Sequence, residues 1–379
     1  MKIGIVGNYG HDNNGDEAIL QGIITQLAEN LDVSKQDITI FSNNPENTLN
    51  RYGINSKRLL HKRGSLIKSI LATIASNYRT IKCLDVLIIG GGGLLMDMYK
   101  RDAPLYAAHA LMGKLSGSKV IIYGVGAGPI STKAGKFLIK RMIGLAHSVS
   151  VRDEDSKKLL SEIGINRPVE IVADPAFMLG NGIARDRSEN IQSVGVTAVP
   201  YYSKEYWPEY NEEKYRSYIN GMAKNLDTLI RNRRIKVTFF STKYPQDVKA
   251  TEDIVSLMEQ KSSVSVLGDN LAPKEIVSIC AQQDIIIGTR LHSLILASAV
   301  QTPVIGVGYH KKVHNFLKKI GQEKYYIEIG QLENTEVIDR LVADYGTDWQ
   351  NEQVRMTSIS EWQQSEAEKG IDQIRKAMC

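Results

Sequence analysis

Three observations predict an α/β protein made of two Rossmann-like doubly wound domains. Near-continuous apolar runs such as Asp85–Ile89 and Lys119–Tyr123 read as strands buried on both faces, as in a parallel sheet. These runs alternate with segments of helical periodicity. The alternation stops at a polar, glycine-containing stretch, Gly180–Asn190, and restarts at Val194. At roughly 100–200 residues per domain, 379 residues also suggest two domains. The expected division is 1–180, 190–345 and a helical tail, 346–379, whose helix crosses back to the first domain.

The elements follow in order. Ile3–Val6 is a strand, and a turn leads into a helix from about Asp16 to Leu31, with Ile19, Ile23, Ile24 and Leu27 at helical spacing. Ile38–Phe41, Asp85–Ile89, Lys119–Tyr123, Ser148–Val151 and Glu170–Val172 continue the first set of strands, with a helix at Ser156–Ile163. The second set is Val194–Val199, Lys236–Phe240, Ser263–Leu267, Asp284–Ile287 and Val304–Val307. Helices near Glu212–Arg231, Gln246–Gln260, Pro273–Ala281 and Ser293–Val300 separate them, and Trp349–Met378 reads as a polar helix. Ligands of parallel sheets bind beyond the carboxyl ends of the strands. If the two domains face each other across a cleft, the loops after the strands line it.

Composition narrows the function classes. The chain is 42% hydrophobic and 23% charged, an ordinary globular balance. Cys83, Cys280 and Cys379 form no CxxC or Cys/His cluster, which argues against a disulfide framework or zinc site and for a reducing cytoplasm. The first residues lack the apolar core of a signal peptide, and no run of about 20 apolar residues suggests a membrane span. The net charge of +5 is uneven: no acid lies between Leu49 and Leu84, while Arg51, Lys57, Arg58, Lys62, Arg63, Lys68, Arg79 and Lys82 do. With Leu59, Leu60, Leu66, Ile67, Ile70, Leu71 and Ile74 among them, this reads as a basic amphipathic helix with flanks. It is either a solvated helix packed on its domain or a surface that touches anionic membrane at the inner face of the cell. The segment has little aromatic interleaving and no nucleic-acid motif accompanies it, so nucleic acid is not expected as a partner.

Five motifs fall at strand ends. Gly7-Asn8-Tyr9-Gly10-His11-Asp12-Asn13-Asn14-Gly15-Asp16-Glu17 joins the first strand to the first helix. It is neither a dinucleotide fingerprint nor a P-loop. Its dense Asn, Asp and His suit ligand contact, although Asp16 as a helix cap and the glycines as plain turns would also account for it. Gly90–Gly93 and the Tyr123–Pro129 glycine run follow two buried strands, as close-approach loops or as structural turns. Arg152, after Ser150-Val151, can bind a carboxylate or phosphate bidentately, or pair locally with Asp153 or Asp155. Gly288-Thr289-Arg290-Leu291-His292-Ser293 carries the most information: a strand end, a helix N-terminus, an arginine and a histidine meet there. Arg290 and the helix start suit an anion, and His292 suits proton delivery near neutral pH, unless it is simply a core histidine. Tyr309-His310-Lys311-Lys312 follows the next strand, and one of its lysines should face the same anion.

In this order the motifs resemble the polysaccharide pyruvyl transferase family. The likeness rests on Gly-Asn-Tyr-Gly and Asn-Asn-Gly-Asp-Glu-Ala-Ile at the start, Gly90–Gly93, Ser-Val-Arg-Asp at Ser150–Asp153, Ala-Asp-Pro at Ala173–Pro175 and Gly-Thr-Arg-Leu-His-Ser at Gly288–Ser293. It covers the chain from Gly7 to about Lys312. The resemblance implies a glycosyltransferase-B-like fold and phosphoenolpyruvate as donor, held by Arg152, Arg290, His292 and Lys312. It also implies that the N-terminal loop, with Asn8, Tyr9, Asn14 and Asp16, faces a glycan acceptor that is free or lipid-linked. The expected chemistry is a pyruvyl ketal, with His292 as the acid and Asp16 as a candidate base. No cofactor or metal is expected. A nucleotide-sugar glycosyltransferase of the same fold is the competing reading; a non-catalytic sugar-binding protein and a nicotinamide enzyme fit the motifs less well.

Overall fold

The computed structural model describes residues 1–378, and Cys379 lies outside the described residues. The chain divides into two compact units. Unit 1 comprises Met1–His11, Asp16–Met178 and the C-terminal residues from Gln363; unit 2 comprises Asp12–Gly15 and Leu179–Trp362. The residues expected to form a tail are thus shared out, with the last helix beginning in unit 2 and ending in unit 1.

Unit 1 contains β1 (Ile3–Val6), α1 (Asn14–Leu31), β2 (Ile38–Ser42), α2 (Pro45–Tyr52), β3 (Asn55–Arg58), α3 (Leu66–Ile81), β4 (Val86–Gly90), α4 (Asp102–Ser116), β5 (Lys119–Val125), α5 (Lys133–Leu145), β6 (Ser148–Val151), α6 (Glu154–Glu162) and β7 (Glu170–Ile171). Its seven strands are all parallel, in the order β3-β2-β1-β4-β5-β6-β7. Every residue of β1, β2 and β4 is buried, which is why these strands read as unbroken apolar runs. Local caps set the helices: Asp153 accepts from the Ser156 amide at 2.7 Å to start α6, and Thr132 accepts from the Gly135 amide to start α5.

Unit 2 contains β8 (Ser193–Thr197), α7 (Glu212–Arg233), β9 (Lys236–Phe240), α8 (Gln246–Leu257), β10 (Val264–Leu267), α9 (Pro273–Ala281), β11 (Ile285–Gly288), α10 (Leu291–Ala299), β12 (Val304–Gly308), α11 (Lys311–Lys319), β13 (Tyr326–Glu328), α12 (Val337–Thr347) and the start of α13 (Trp349–Met378). Its six strands are parallel in the order β10-β9-β8-β11-β12-β13. Both sheets therefore repeat the 3-2-1-4-5-6 order of a doubly wound fold, and each reverses direction once, at β1/β4 and at β8/β11.

The last part of α13 completes unit 1. Gln26 donates to the Ala367 carbonyl at 2.9 Å and accepts from the Tyr123 hydroxyl at 2.5 Å, while Gly370 packs against the Tyr123 ring. The basic stretch is not one helix. Arg51 lies in α2, Lys57 and Arg58 in the edge strand β3, and Lys62 and Arg63 in a loop; α3 begins only at Leu66. Its buried stripe runs Ser69, Thr73, Asn77 and Ile81 at four-residue spacing, and the first three are polar. These side chains bond the loop backbone: Asn77 donates to the Arg58 carbonyl at 3.1 Å, Thr73 accepts from the His61 amide at 2.9 Å, and Ser69 takes the Arg63 amide at 2.8 Å. Among the described residues no helix is long and apolar enough to cross a membrane.

Candidate functional site

In a doubly wound sheet the strand-order reversal opens a crevice at the carboxyl ends of two neighbouring strands, where their loops part. In unit 1 that place lies between the loop after β1 and the glycines after β4. Asp16, in the first turn of α1, accepts from the Asn8 side chain at 3.0 Å. It does not cap the helix, which starts two residues earlier. Gly92 has φ +69°, and a Cβ there would stand 2.8 Å from the Asp16 carboxylate. The glycine run thus lets the backbone close over Asp16, a demand that only glycine meets. Glu17 braces the loop from below. It accepts from the Gly10 amide and the Tyr52 hydroxyl, each at 2.7 Å, and burial pushes its carboxyl pKa upward despite these bonds.

Residues 12–15 belong to unit 2. Asn13 bridges antiparallel to Lys243, the Asn14 amide donates to the Thr242 carbonyl at 2.9 Å, and the Tyr244 amide donates to the Asp12 carbonyl at 3.1 Å. Gly15 packs so closely on the His292 ring that any Cβ would collide with it. The residue that follows Gly15 is Asp16.

The reversal in unit 2 lies between β8 and β11. Thr289 donates its amide and hydroxyl to Thr197, and Ser293 bonds both the Thr197 hydroxyl and the Arg290 carbonyl, so the strand end and the first turn of α10 are locked together. Arg290 leaves this junction and is clamped by Asp247, at the start of α8. Its Nη2 lies 2.6 Å from one carboxylate oxygen, and Nε lies 3.2 and 3.3 Å from the two. The Arg290 side chain keeps 21% exposure, whereas Asp247 has none. Burial works against the Arg290 charge, but Asp247 and Tyr309 outweigh it and its pKa is raised. Asp247 itself is pushed up by burial, which Arg290 and the Lys243 amide only partly reverse. A cation fixed in this way at a helix start is pre-oriented for a carboxylate or phosphate.

Tyr309, which acts on the Arg290 charge, belongs to an aromatic group whose other members, Tyr201 and Trp207, no motif contained. Tyr201, after β8, lies 5.5 Å from Trp207 and 5.7 Å from Tyr309, after β12; Trp207 and Tyr309 are 5.2 Å apart. Burial raises the Tyr309 hydroxyl pKa, and the nearby Arg290 charge offsets this in part.

The expected residues therefore separate as follows. Arg290, His292 and Lys312 belong to unit 2, with Lys312 exposed in the first turn of α11. Asn8 and Asp16 come together in unit 1. Arg152, also in unit 1, has a side chain only 9% exposed, within 3.5 Å of Asp174 and 3.4 Å of Asp153. Two of the expected acceptor residues are buried. Tyr9 is 1% exposed and gives its hydroxyl to the Gly90 carbonyl at 2.6 Å, so it braces the glycine run from inside the core. Asn14 is fully buried in unit 2, where its side chain reaches Asn270 at 3.4 Å. Among the described residues no cluster of His, Cys, Asp or Glu could hold a metal ion.

Comparison with known proteins bears on the family and the fold. The Polysaccharide pyruvyl transferase family model matches residues 13–311. The amylovoran biosynthesis protein AmsJ of Erwinia amylovora is 24% identical, over 90% of this chain and 91% of its own. Two solved structures share the fold. A UDP-GlcNAc 2-epimerase from Neisseria meningitidis, bound to UDP-GlcNAc, has a TM-score of 0.66 at 13% identity, covering 99% of this chain and 100% of that one. A glycosyltransferase from Rickettsia africae has a TM-score of 0.65 at 11% identity, covering 100% and 98%. The architecture is thus that of the glycosyltransferase-B-like class, and the chain, a transferase of polysaccharide biosynthesis, belongs to the polysaccharide pyruvyl transferase family.

Proposed function

We propose that the protein transfers the pyruvyl unit of phosphoenolpyruvate to two hydroxyls of a surface-polysaccharide sugar or its lipid-linked precursor, forming a pyruvyl ketal. The observation that carries this reading is Arg290, held by buried Asp247 at the strand reversal of unit 2, one turn-residue from His292. Phosphoenolpyruvate is small and carries a carboxylate and a phosphate. A fixed guanidinium, a helix start and the Lys312 ammonium suit it, and the role of Arg152 on the donor is part of the same proposal.

The chemistry assigns each group a proton. His292 delivers one to C3 of the donor, turning the methylene into a methyl and leaving C2 electron-poor. A sugar hydroxyl attacks C2 and loses its proton, for which Asp16 is the proposed acceptor. The C2–O bond to phosphate breaks, and a second hydroxyl attacks C2 and loses its proton. One phosphoenolpyruvate and one diol become one ketal and one phosphate. No step calls for a metal or cofactor. The work takes place where glycans are assembled, in the cytoplasm at the inner face of the membrane, with residues 51–82 touching anionic lipid.

A nucleotide-sugar donor is the second reading. It is favoured by the Tyr201–Trp207–Tyr309 group, a surface on which a base could stack. Titration of phosphoenolpyruvate and of UDP-GlcNAc separates the two. Saturable binding of phosphoenolpyruvate that is lost in Arg290→Ala supports the first reading; binding of UDP-GlcNAc alone overturns it.

A further inference from the structure

A second cationic site lies in unit 1, apart from the donor and acceptor residues assigned above and partly within the basic stretch 51–82. A cavity of about 360 Å³ is lined by His11, Asn43, Arg58, Leu60, His61, Lys62, Arg63 and Arg101. That is the volume of roughly a dozen waters. Arg58, Lys62, Arg63 and Arg101 bring four permanent positive charges to it, and no acid lines it. Asp102 pairs with Arg101 at 3.4 Å, and the Asp16 charge acts on His11. Four like charges around one cavity repel one another, a cost that a bound anion would relieve.

The wall is also fixed in place. The backbone from Arg58 to Arg63 is tied to α3 through Asn77, Thr73 and Ser69 at 2.8–3.1 Å, so the basic side chains spring from a rigid base. Ile70, Ile74 and Tyr78 of α3 pack on the core, but with that stripe spent on the loop Ile67 and Leu71 are left facing outward, 74% and 60% exposed. Exposed apolar side chains therefore begin within four residues of Arg63. A basic pocket continued by an apolar strip matches a ligand with an anionic head and a hydrocarbon tail. At its other end the pocket reaches His11, in the loop that carries Asn8 and precedes Asp16.

We propose that this pocket binds the diphosphate of a lipid-linked acceptor, with the head on Arg58, Lys62, Arg63 and Arg101 and the start of the chain along Ile67 and Leu71. The proposal rests on the glycan-acceptor reading above and names the carrier of that acceptor.

Calorimetric titration with inorganic pyrophosphate, farnesyl diphosphate and UDP at constant ionic strength tests it. Farnesyl diphosphate should bind saturably and at least tenfold more tightly than pyrophosphate. Combined Arg58→Gln, Lys62→Gln and Arg63→Gln should weaken both at least tenfold, with an unfolding midpoint that is unchanged or raised. Ile67→Ser with Leu71→Ser alters only exposed side chains. It should abolish the advantage of the farnesyl chain and leave pyrophosphate affinity intact, which keeps the test valid even if the triple variant fails to fold. Absence of diphosphate binding, or binding that ignores the triple substitution, overturns the proposal. Equal affinity for farnesyl diphosphate and pyrophosphate, or tighter binding of UDP, overturns the lipid source. A phosphoenolpyruvate titration of the same protein reads the donor assignment separately, so either proposal can fail alone.

Discussion

Replacing Asp247 by Asn tests whether the clamp on Arg290 has the importance its geometry suggests. The substitution keeps the side-chain shape and one acceptor oxygen, which can still take the Lys243 amide now bonded at 3.0 Å. What it removes is the negative charge that Arg290 meets through Nη2 and Nε. Breaking a buried ion pair from one side costs about 3–5 kcal/mol, because the remaining charge stays desolvated. Arg290 retains 21% exposure and can recover some hydration, so the low end, about 3 kcal/mol, is the better figure. For a unit of this size that lowers the unfolding midpoint by roughly 6–12 °C. The second effect is on the donor. A guanidinium no longer held in one orientation loses at least part of a charge-assisted contact, so phosphoenolpyruvate should bind about tenfold more weakly, or about 1.4 kcal/mol. Scanning calorimetry and a donor titration measure the two effects. An unchanged midpoint would refute the energetic reading of the pair, and a lowered midpoint with unchanged donor affinity would reduce Asp247 to a purely structural residue.

His292→Gln should bind the donor yet lose about 10²–10⁴-fold in kcat, the usual share of general acid catalysis; near-normal turnover would move the proton to His11 or His310. Gly15→Ala should fold with reduced activity, since its new methyl must displace the His292 ring, and full activity would show that the ring position is unimportant. Burial holds the His109 pKa down at about 4, as its neutral ring donates from Nδ1 to the Leu105 carbonyl at 2.9 Å and faces the Asn77 amide at Nε2. The unfolded chain binds that proton near 6.5 and the folded one only near 4, so stability should be lost as pH falls through this window, by up to about 3 kcal/mol. Urea denaturation at pH 7 and pH 5 should show part of that loss in the wild type and less of it in His109→Gln; an equal loss in both would contradict the assignment.

The sequence made the central parallel strands legible because their residues are buried on both faces. Ile3–Val6 and Lys236–Phe240 fall where the apolar runs put them. Edge strand β3, Asn-Ser-Lys-Arg, has no buried apolar residue and left no such signal. Its place within a basic stretch suggested helix instead. Within the site, Arg290 and His292 could be found because a strand end, a glycine and a helix start converge in six residues. Asp247 could not, since it lies 43 residues earlier and looks like any acid at the start of a helix. The Tyr201, Trp207 and Tyr309 group comes from separate segments after β8 and β12, and only the folded chain assembles it. The lack of acid between Leu49 and Leu84 was plain, but the pocket it serves also needs His11, Asn43 and Arg101, which no local pattern connects to it.

The central claim is that phosphoenolpyruvate is the donor and a ketal the product. Incubating the protein with phosphoenolpyruvate and a panel of sugar and lipid-linked sugar acceptors, while following phosphate and the acceptor mass, tests it directly. The account predicts one phosphate released per acceptor that gains a pyruvyl ketal, with both signals lost in Arg290→Ala. Transfer of a sugar from UDP-GlcNAc to the same acceptors, with no phosphate released from phosphoenolpyruvate, would contradict it.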